Sequence, residues 1–368
     1  MTSAAVGLGA RVDWETIPEV IEAARAAMTP QLWDGTCGGS GQEATVGRNT
    51  AALATVALRP RVLTGVSTAD TRSEFLGRTI RAPVLPAPVG EIALFHPGGA
   101  LAYARAAAVS GTGAFIGLVS SPQMEDVRAS CDGPLILQIY RFGDDAWLRR
   151  LLKRAEDCGM DGICLTVDTP VSGRLDRDLR HRLTLAPRPR PNLEDGGQAN
   201  GPYNGGQLTW ADIEQLRTMT QLPLILKGIT HPVDAAQAVE LGADYVCISN
   251  HGGRQLDDAQ GTIEVLPEIA AAVAGRAGLI IDGGFLRGSD VIKALALGAD
   301  LVLIGKLAVL ALAAGGETGL TRALDILTSE IAVNMTNLGI GTVAQLHPGL
   351  VCRAVSPAET VWPHGRTR

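Results

Sequence analysis

Aromatic residues are few in this chain of 368 residues, where they make up only 4% of the sequence. Glycine, by contrast, occurs 44 times. Short aliphatic segments bounded by glycine are typical of α/β proteins with buried parallel strands, and they argue against a helical bundle. The length suits one large domain or two ordinary ones.

Cysteine is also scarce, and the six cysteines form no CxxC pair. Several of them, such as Cys164 and Cys247, lie inside apolar runs, where cysteine is usually a small core residue. A disulfide framework is therefore not indicated, and we expect reduced thiols in a cytoplasmic protein. We also predict no metal site.

Positive charge is not in excess either. The net charge is −6, and the lysines and arginines are scattered, which argues against a nucleic-acid partner. No apolar run reaches the length of about 18 residues that indicates a membrane span. Residues 1–10 lack the basic and apolar regions of a signal peptide.

Eight short apolar runs recur along the chain. They cover residues 83–88, 112–119, 134–140, 162–168, 223–228, 245–250, 278–283 and 301–306. Helical patterns lie between them at 99–110, 144–157, 232–241, 263–274 and 289–297. Near-continuous apolar runs are typical of strands buried on both faces, so the repeat predicts an α/β fold, a (β/α)8 TIM barrel. Periodicity alone leaves a doubly wound sheet open.

Four segments lie outside this repeat, within what we predict is one domain overall. Residues 1–82 predict an N-terminal cap of two or three helices and a loop, before a barrel at 83–340. Residues 186–206, in the long loop after the fourth strand, are rich in Pro, Gly and Asn and predict a mobile, candidate lid. A final helix is predicted at 316–337, and a loose C-terminal tail at 341–368.

A polar residue closes every predicted strand, and in a barrel this is the catalytic end. After the sixth strand, two glycines separate His251 from Arg254. A histidine there can move a proton, an arginine can hold a carboxylate, and glycines let a ligand approach the backbone. The alternative is that these strand-end residues are caps and turns.

Two strand-end residues have competing interpretations. A buried lysine such as Lys227 needs an anionic partner, either a reduced flavin ring or a barrel carboxylate. Asp168 either stabilises the imidazolium of His251 or caps a helix.

The last two strands suggest a phosphate site. Residues 282–284 (DGG) and 304–306 (IGK) follow them, and barrels often bind phosphate at this place. Backbone N–H groups, helped by Lys306 or Arg287, would hold the anion.

Together these residues resemble the FMN-dependent 2-hydroxy acid oxidase/dehydrogenase family, which includes glycolate oxidase, lactate oxidase and mandelate dehydrogenase. The most specific match is SNHGGRQLD at 249–257. Supporting matches are 165–170 (LTVDTP), 226–228 (LKG), 282–284 (DGG) and 294–299 (ALALGA). The GGSG stretch at 38–41, with Glu43, is similar to the 4-hydroxymandelate oxidases.

The resemblance implies a role for each matching residue. His251 is the implied catalytic base, Asp168 orients it, Arg254 binds the substrate carboxylate and Tyr140 hydrogen-bonds the substrate, while Lys227 stabilises the flavin. The implied FMN-binding residues are Pro88, Val89, Gly90, Ser120, Gln138, Thr166, Lys227, Ser249, Asp282, Gly283, Gly284, Phe285, Leu286, Arg287, Gly305 and Lys306.

The chain departs from the family pattern around the substrate. A tyrosine that touches the substrate carboxylate is replaced by Gly35, and an aromatic residue is replaced by Pro122. A second substrate-side arginine falls at Leu175, so Arg174 is the candidate replacement. One phosphate arginine falls at Leu286, with Arg287 adjacent, and the other is Lys306.

These departures enlarge the substrate pocket, so the sequence predicts oxidation of a bulky or aryl-bearing 2-hydroxy acid to the 2-oxo acid. The electron acceptor is oxygen or another compound, and the resemblance implies a homotetramer. One alternative is a flavin enzyme that acts on a different biosynthetic intermediate, because the usual tyrosine is Gly35. A redox-neutral flavin isomerase is disfavoured by the adjacent His251 and Arg254. A further alternative is a flavin-binding protein that has lost catalysis.

Overall fold

A computed structural model describes residues 12–182, 189–193 and 208–354 of the chain. Its strands are β1 (Val56–Leu58), β2 (Ser73–Phe75), β3 (Arg78–Ile80), β4 (Val84–Pro86), β5 (Ala114–Gly117), β6 (Leu135–Ile139), β7 (Gly162–Thr166), β8 (Leu224–Ile229), β9 (Tyr245–Ile248), β10 (Gly278–Ile281), β11 (Leu301–Ile304) and β12 (Val351–Arg353).

The α-helices alternate with the strands from β4 onward. They are α1 (Ile17–Ala27), α2 (Pro30–Cys37), α3 (Ala44–Ala54), α4 (Gly99–Val109), α5 (Met124–Ala129), α6 (Asp145–Asp157), α7 (Asp176–Arg180), α8 (Trp210–Arg217), α9 (Pro232–Glu240), α10 (Thr262–Val273), α11 (Gly288–Ala296) and α12 (Lys306–Leu338).

Strands β4 to β11 form one parallel sheet in the order β4-β11-β10-β9-β8-β7-β6-β5. The two end strands, β4 and β5, contact each other, so the sheet curls into a nearly closed barrel. Seven of the eight lie inside the predicted apolar runs, β8 extends one residue beyond its run to Ile229, and the (β/α)8 TIM barrel is confirmed. A doubly wound sheet is excluded, because its strand order would reverse rather than run round a ring.

The barrel interior is filled by side chains from alternate strand positions, as in a packed core. Cys164 and Cys247 belong to this interior and are fully buried, which confirms their interpretation as core residues. The hairpin of β2 and β3 closes the bottom of the barrel. Phe75 packs there against Phe115 at 6.2 Å and against Tyr245 at 5.4 Å between ring centroids. This packing fills the bottom of the barrel and leaves the opposite end, where the carboxyl ends of the strands lie, available for a functional site.

The outer helices form because each presents one apolar face to the sheet. In α6, Asp144 caps the first turn through a 2.8 Å hydrogen bond from the Trp147 N–H, and Leu151 and Leu152 face the core. Lys153 lies on the solvent face of the same helix, where its side chain pairs with Asp157.

The N-terminal segment contains the predicted helices, and it also contains strands. Helix α1 begins with a capping box, in which the Thr16 N–H donates to Glu19 at 2.8 Å. Beyond α3, the chain forms β1 and the β2–β3 hairpin, which the sequence analysis assigned to a loop. These strands are short and lack an alternating pattern long enough to be recognised.

The C-terminal part differs from the prediction in two respects. Helix α12 begins at Lys306, earlier than the predicted final helix, and non-helical backbone at Gly315 and Gly316 divides it at a kink that accommodates Trp14, so the helix predicted at 316–337 forms its second part. The first part of the predicted loose tail is ordered, since β12 pairs antiparallel with β1 in the register Val56 to Arg353. A strand with a partner about three hundred residues away leaves no local signal.

Helix α12 is the only helix in the described ranges long and apolar enough to cross a membrane by its composition. Over half of its most apolar window is buried inside the protein, where it packs against α1, α4 and α11. This is the pattern of a core helix, in keeping with the predicted absence of a membrane span.

The excursion after β7 contributes α7, a short turn at Pro191–Leu193 and α8. Most of the predicted lid at 186–206 lies outside the described residues. The described piece packs onto the barrel: Asn192 accepts the Met124 N–H at 2.8 Å and donates to the Ser120 carbonyl at 3.2 Å. It therefore helps to cover the end of β5.

We predict that Leu152→Ala destabilises the protein by about 2–5 kcal/mol, because the fully buried side chain leaves a cavity between α6 and the sheet. Urea unfolding followed by circular dichroism measures the change. Lys153→Ala is the matched control, since its side chain is 72% exposed, and it should change stability by less than about 0.5 kcal/mol. Equal midpoints for the two variants would contradict this packing.

Candidate active site

The turn after β9 is built on three successive left-handed residues. His251, Gly252 and Gly253 have φ values of 56°, 63° and 79°. A non-glycine residue in this region costs free energy unless its surroundings hold it there. The turn therefore presents the imidazole in a fixed direction at the end of the strand.

The N-terminal cap segment supports this turn from behind. Ser40 donates its N–H to the Gly253 carbonyl at 2.8 Å, and a Cβ on Gly253 would lie 2.7 Å from Val46. Sequence analysis explained both glycines by ligand approach. For Gly253 the structure corrects this explanation, because the space beside it is occupied by the start of α3.

Asp168 holds the imidazole of His251. Its Oδ1 lies 3.0 Å and its Oδ2 3.2 Å from His251 Nδ1. Burial by itself would raise the Asp168 pKa, but the His251 ring and the Lys227 ammonium bring it below its usual value. The carboxylate is thus ionised at neutral pH and can stabilise an imidazolium.

A bulge in β8 makes room for this carboxylate. The ladder between β8 and β9 shifts register between Lys227 and Ile229. Gly228 has φ 109° there, and a Cβ on it would lie 2.5 Å from Asp168 Cβ. Only glycine fits, so the glycine that follows Lys227 is required for Asp168 to reach its place.

Lys227 lies in the barrel mouth with 4% of its surface exposed. Its Nζ donates to Ser249 Oγ at 2.9 Å and pairs with Asp282 at 3.4 Å. Burial would lower the Lys227 pKa, yet Asp282 and Asp168 raise it above its usual value. In the protein without a ligand, the anionic partner predicted for Lys227 is therefore a barrel carboxylate, that of Asp282. The Lys227 ammonium remains charged.

Other strand-end residues converge on the same mouth. Gln138 donates to Thr166 Oγ1 at 3.0 Å, and Ser120 donates to the Val89 carbonyl at 3.0 Å. Within the described ranges, Asp282 Oδ1 is buried with no hydrogen-bond partner. Such an oxygen costs free energy until a donor reaches it, so the mouth is built to receive a ligand with hydroxyl groups.

Arg254 extends from the turn toward the N-terminal cap, where its Nη1 donates to the Gly35 carbonyl. Burial lowers its pKa, although the guanidinium remains a cation at any ordinary pH. Tyr140 lies within electrostatic reach of Arg254, Lys227 and Asp168, and burial raises its pKa, so the phenol stays protonated. The structure thus brings the predicted catalytic residues together.

Lys306 lies at the predicted phosphate end of the site. Its Nζ donates to the carbonyls of Cys37 and Gly38 at 3.0 Å and 3.1 Å. Burial and the nearby Arg254 lower its pKa to about 8. Gly283 and Gly284 follow β10 and have φ values of 108° and 86°. Both glycines predicted for the phosphate site therefore adopt the left-handed backbone conformation that favours glycine.

Arg287 is not placed to assist Lys306, which corrects the sequence analysis. Its guanidinium binds Glu330 on α12, with Nη2 at 2.7 Å and Nε at 2.9 Å from Oε1. Leu286 packs against the hydrophobic core, and Phe285 is buried in it. Lys306 is therefore the cation that the described residues offer beside Gly305.

Arg174 also departs from its predicted role as the second substrate arginine. Its side chain is 80% exposed and lies 3.5 Å from Asp176. Only its backbone carbonyl contacts the cap, where it accepts the Gly41 N–H at 3.0 Å. Sequence adjacency misled here, because the residue next to a family position need not share its surroundings. Pro122, Pro88 and Gly90 lie in the loops that follow β5 and β4.

Several residues that support the site were not found from the sequence. Asn49 and Asn250 exchange hydrogen bonds of 3.0 Å and 2.8 Å between α3 and the end of β9. Asp257 accepts the N–H groups of Gln42 and Thr45 at 2.8 Å and 3.0 Å, so it caps α3 from a distant part of the chain. Motif matching includes Asp257 but gives no reason for it.

A second unpredicted group fastens α7 to the cap. Arg177 pairs with Glu43 and Asp34, and His181 Nε2 lies 2.8 Å from Asp34. These contacts fix the start of the excursion after β7 against the N-terminal segment. From the sequence alone, these charged residues on a short helix could not be distinguished from an ordinary solvent-exposed helix face.

The fold and this arrangement define a class of (β/α)8 oxidoreductase. A histidine hydrogen-bonded to a carboxylate, an arginine and a buried lysine lie around one barrel mouth. The unpartnered Asp282 oxygen and the buried Lys227 fit a flavin with a polyhydroxylated side chain. No cluster of three potential metal ligands occurs in the part of the chain that the structure describes.

The chain belongs to the FMN-dependent dehydrogenase family, whose pattern matches residues 24–353. It is 39% identical over 345 residues to the peroxisomal (S)-2-hydroxy-acid oxidase GLO4 of Oryza sativa subsp. japonica, covering 90% of this chain and 93% of that protein. It is 38% identical to the 4-hydroxymandelate oxidase of Amycolatopsis orientalis over 341 residues, covering 89% and 95%.

Solved structures of mandelate-oxidising enzymes support the same family assignment. A mandelate oxidase variant with (S)-mandelic acid superposes with a TM-score of 0.86 at 37% identity, covering 93% of this chain and 99% of that one. A chimeric (S)-mandelate dehydrogenase gives a TM-score of 0.88 at 30% identity, covering 92% and 99%. FMN is therefore the cofactor of this enzyme, as the resemblance implied.

We predict that FMN binding weakens above pH 8, by up to about tenfold per pH unit, while riboflavin binding does not. The charged form of Lys306 would hold the phosphate, and with a pKa of about 8 that form is lost as the pH rises through this value. Titration of the apoprotein by flavin fluorescence between pH 7 and 9.5 measures both affinities.

Lys306→Arg should remove this pH dependence, because arginine stays charged. Arg287→Ala is the control: its guanidinium is held by Glu330, so the FMN affinity at pH 7 should be unchanged. If Arg287→Ala weakens FMN as much as Lys306→Ala does, the assignment of the phosphate cation is wrong.

Proposed function

We propose that the protein oxidises a 2-hydroxy acid with a bulky, aryl-bearing side chain to the corresponding 2-oxo acid. The observation that carries this proposal is the single turn after β9, which holds His251 on Asp168 and places Arg254 three residues later. A general base and a carboxylate-binding cation in fixed relation suit an acid whose reacting carbon is next to its carboxylate.

His251 takes the proton in this proposal. Its Nδ1 faces Asp168, so Nε2 is the nitrogen that accepts a proton from the substrate. Asp168 is ionised and stabilises the imidazolium that results. Bound FMN supplies the two-electron acceptor. Lys227, held charged beside Ser249, adds a fixed positive charge to the mouth where negative charge would develop.

Arg254 positions the substrate. A guanidinium forms two parallel hydrogen bonds with a carboxylate, which fixes both distance and orientation. One Nη1 bond to Gly35 holds the arginine in place while its other N–H groups remain to bind an anion. Tyr140, protonated and close to Arg254, is proposed as a hydrogen-bond donor to the same substrate.

The substrate's side chain is proposed to be large because two positions carry smaller residues than the family pattern has. Glycine contributes no side chain at residue 35, where Asp178 Oδ1 is the nearest group at 3.1 Å from an ideal Cβ, and Pro122 is smaller than an aromatic residue. Several relatives agree with a bulky acid: one is named 4-hydroxymandelate oxidase, and solved neighbours are mandelate oxidases. A small acid such as lactate would leave this space empty, and unfilled space forfeits packing contacts.

We predict that His251→Ala binds FMN but reduces it about 10²–10⁴-fold more slowly, since it has lost its general base. Anaerobic stopped-flow absorbance with racemic mandelate and 4-hydroxymandelate measures the rate. His231→Ala is the control, because His231 is an exposed cap of α9 and should leave the rate unchanged. Flavin reduction by His251→Ala at more than a tenth of the wild-type rate would remove His251 from this role.

Oxygen is proposed as the electron acceptor, in line with the many relatives that are named oxidases. With the substrate that bleaches the flavin, we expect an oxygen electrode to record one O2 consumed for each 2-oxo acid formed. Rapid anaerobic reduction followed by slow reoxidation in air would instead identify a dehydrogenase. Homotetrameric assembly and a cytoplasmic location stay predictions from the sequence.

A further inference from the structure

One carboxylate near Arg254 is not used by the proposed reaction. Asp178 lies on α7, and its Oδ1 is buried without a hydrogen-bond partner among the described residues. The only other buried side-chain atom of this kind there is Asp282 Oδ1, at the flavin end of the mouth. Each such oxygen indicates a place where a ligand can donate a hydrogen bond, one at the flavin end of the mouth and one beside Gly35.

Gly35 links Asp178 to Arg254. An ideal Cβ on Gly35 would lie 3.1 Å from Asp178 Oδ1, so the carboxylate packs closely against this glycine and occupies the position that a side chain at residue 35 would take. The Gly35 carbonyl also accepts the Arg254 guanidinium. The arginine proposed to bind the substrate carboxylate and the unpartnered Asp178 oxygen thus converge on one residue of the cap.

Arg254 does not satisfy Asp178. The two charges act on each other through space, but no ion pair of 4.0 Å or less joins them. The neighbouring acid on α7 behaves differently, since Asp176 faces solvent and pairs with Arg174. Asp178 is therefore left with a buried acceptor and a nearby arginine that is directed elsewhere.

We propose that Asp178 is a specificity-determining residue that accepts a hydrogen bond from a hydroxyl group or protonated amine on the side chain of the 2-hydroxy acid. This inference rests on the proposed function. A donor in the space beside Gly35 completes the hydrogen bonding of Asp178, and a substrate without one leaves that oxygen buried and unpaired. This difference in binding free energy between the two kinds of substrate favours the acid that bears a hydrogen-bond donor.

The test compares mandelate with 3-hydroxymandelate and 4-hydroxymandelate, which add a hydroxyl donor to the same acid. The measured quantity is the second-order rate of anaerobic flavin reduction, expressed as the ratio of each hydroxylated acid to mandelate. We expect the wild type to prefer at least one hydroxylated acid, and Asp178→Ala to lower that ratio about tenfold or more. Asp176→Ala is the matched control and should keep the wild-type ratio.

Two further variants separate this role from a structural one. Asp178→Asn keeps an acceptor oxygen and should retain part of the preference. Gly35→Ser would offer a hydroxyl close to Asp178 from within the protein, so the preference should fall although Asp178 is intact. An Asp178→Ala or Gly35→Ser enzyme with the wild-type ratio would overturn the inference. Absence of flavin reduction by any 2-hydroxy acid in the wild type would instead overturn the proposed function.

Discussion

The contact between Asp168 and His251 is the constraint on which the rest of the site depends. A carboxylate at this depth is costly unless charged and hydrogen-bonding partners surround it. His251 bonds it, the Lys227 charge stabilises it, and the bulge at Gly228 admits it. Lys227 and Gly228 belong to β8, His251 follows β9 and Asp168 follows β7, so three neighbouring strands must assemble before the pair can form.

The N-terminal segment belongs to the active site as much as the barrel does. It supplies the carbonyls that hold Arg254 and Lys306, and it packs behind the left-handed turn of His251. In return, the turn supplies Asp257, which caps α3. Cap and catalytic turn therefore stabilise each other, and loss of either is expected to disturb both geometry and stability.

Charge in the mouth is divided by position. Lys227 and Asp282 lie deep in the barrel, Lys306 lies toward the phosphate end, and Arg254 and Asp178 border the substrate side near Gly35. Arg254 and Lys306 are nevertheless close enough for the Arg254 charge to lower the Lys306 pKa, so an anionic cofactor and an anionic substrate would bind to neighbouring cations. The same barrel can change its substrate through cap residues while strand-end residues keep the chemistry.

The sequence by itself determined the barrel, its eight strands and the residues at their ends, because buried parallel strands and polar closing residues are local patterns. It also located His251, Asp168, Lys227 and Arg254. Only the tertiary structure decided that Arg287 binds Glu330, that Arg174 faces solvent, and that Asp178 Oδ1 is buried beside Gly35. Those outcomes depend on which side chain from a distant part of the sequence packs at each position. The order of residues along the chain does not specify such contacts.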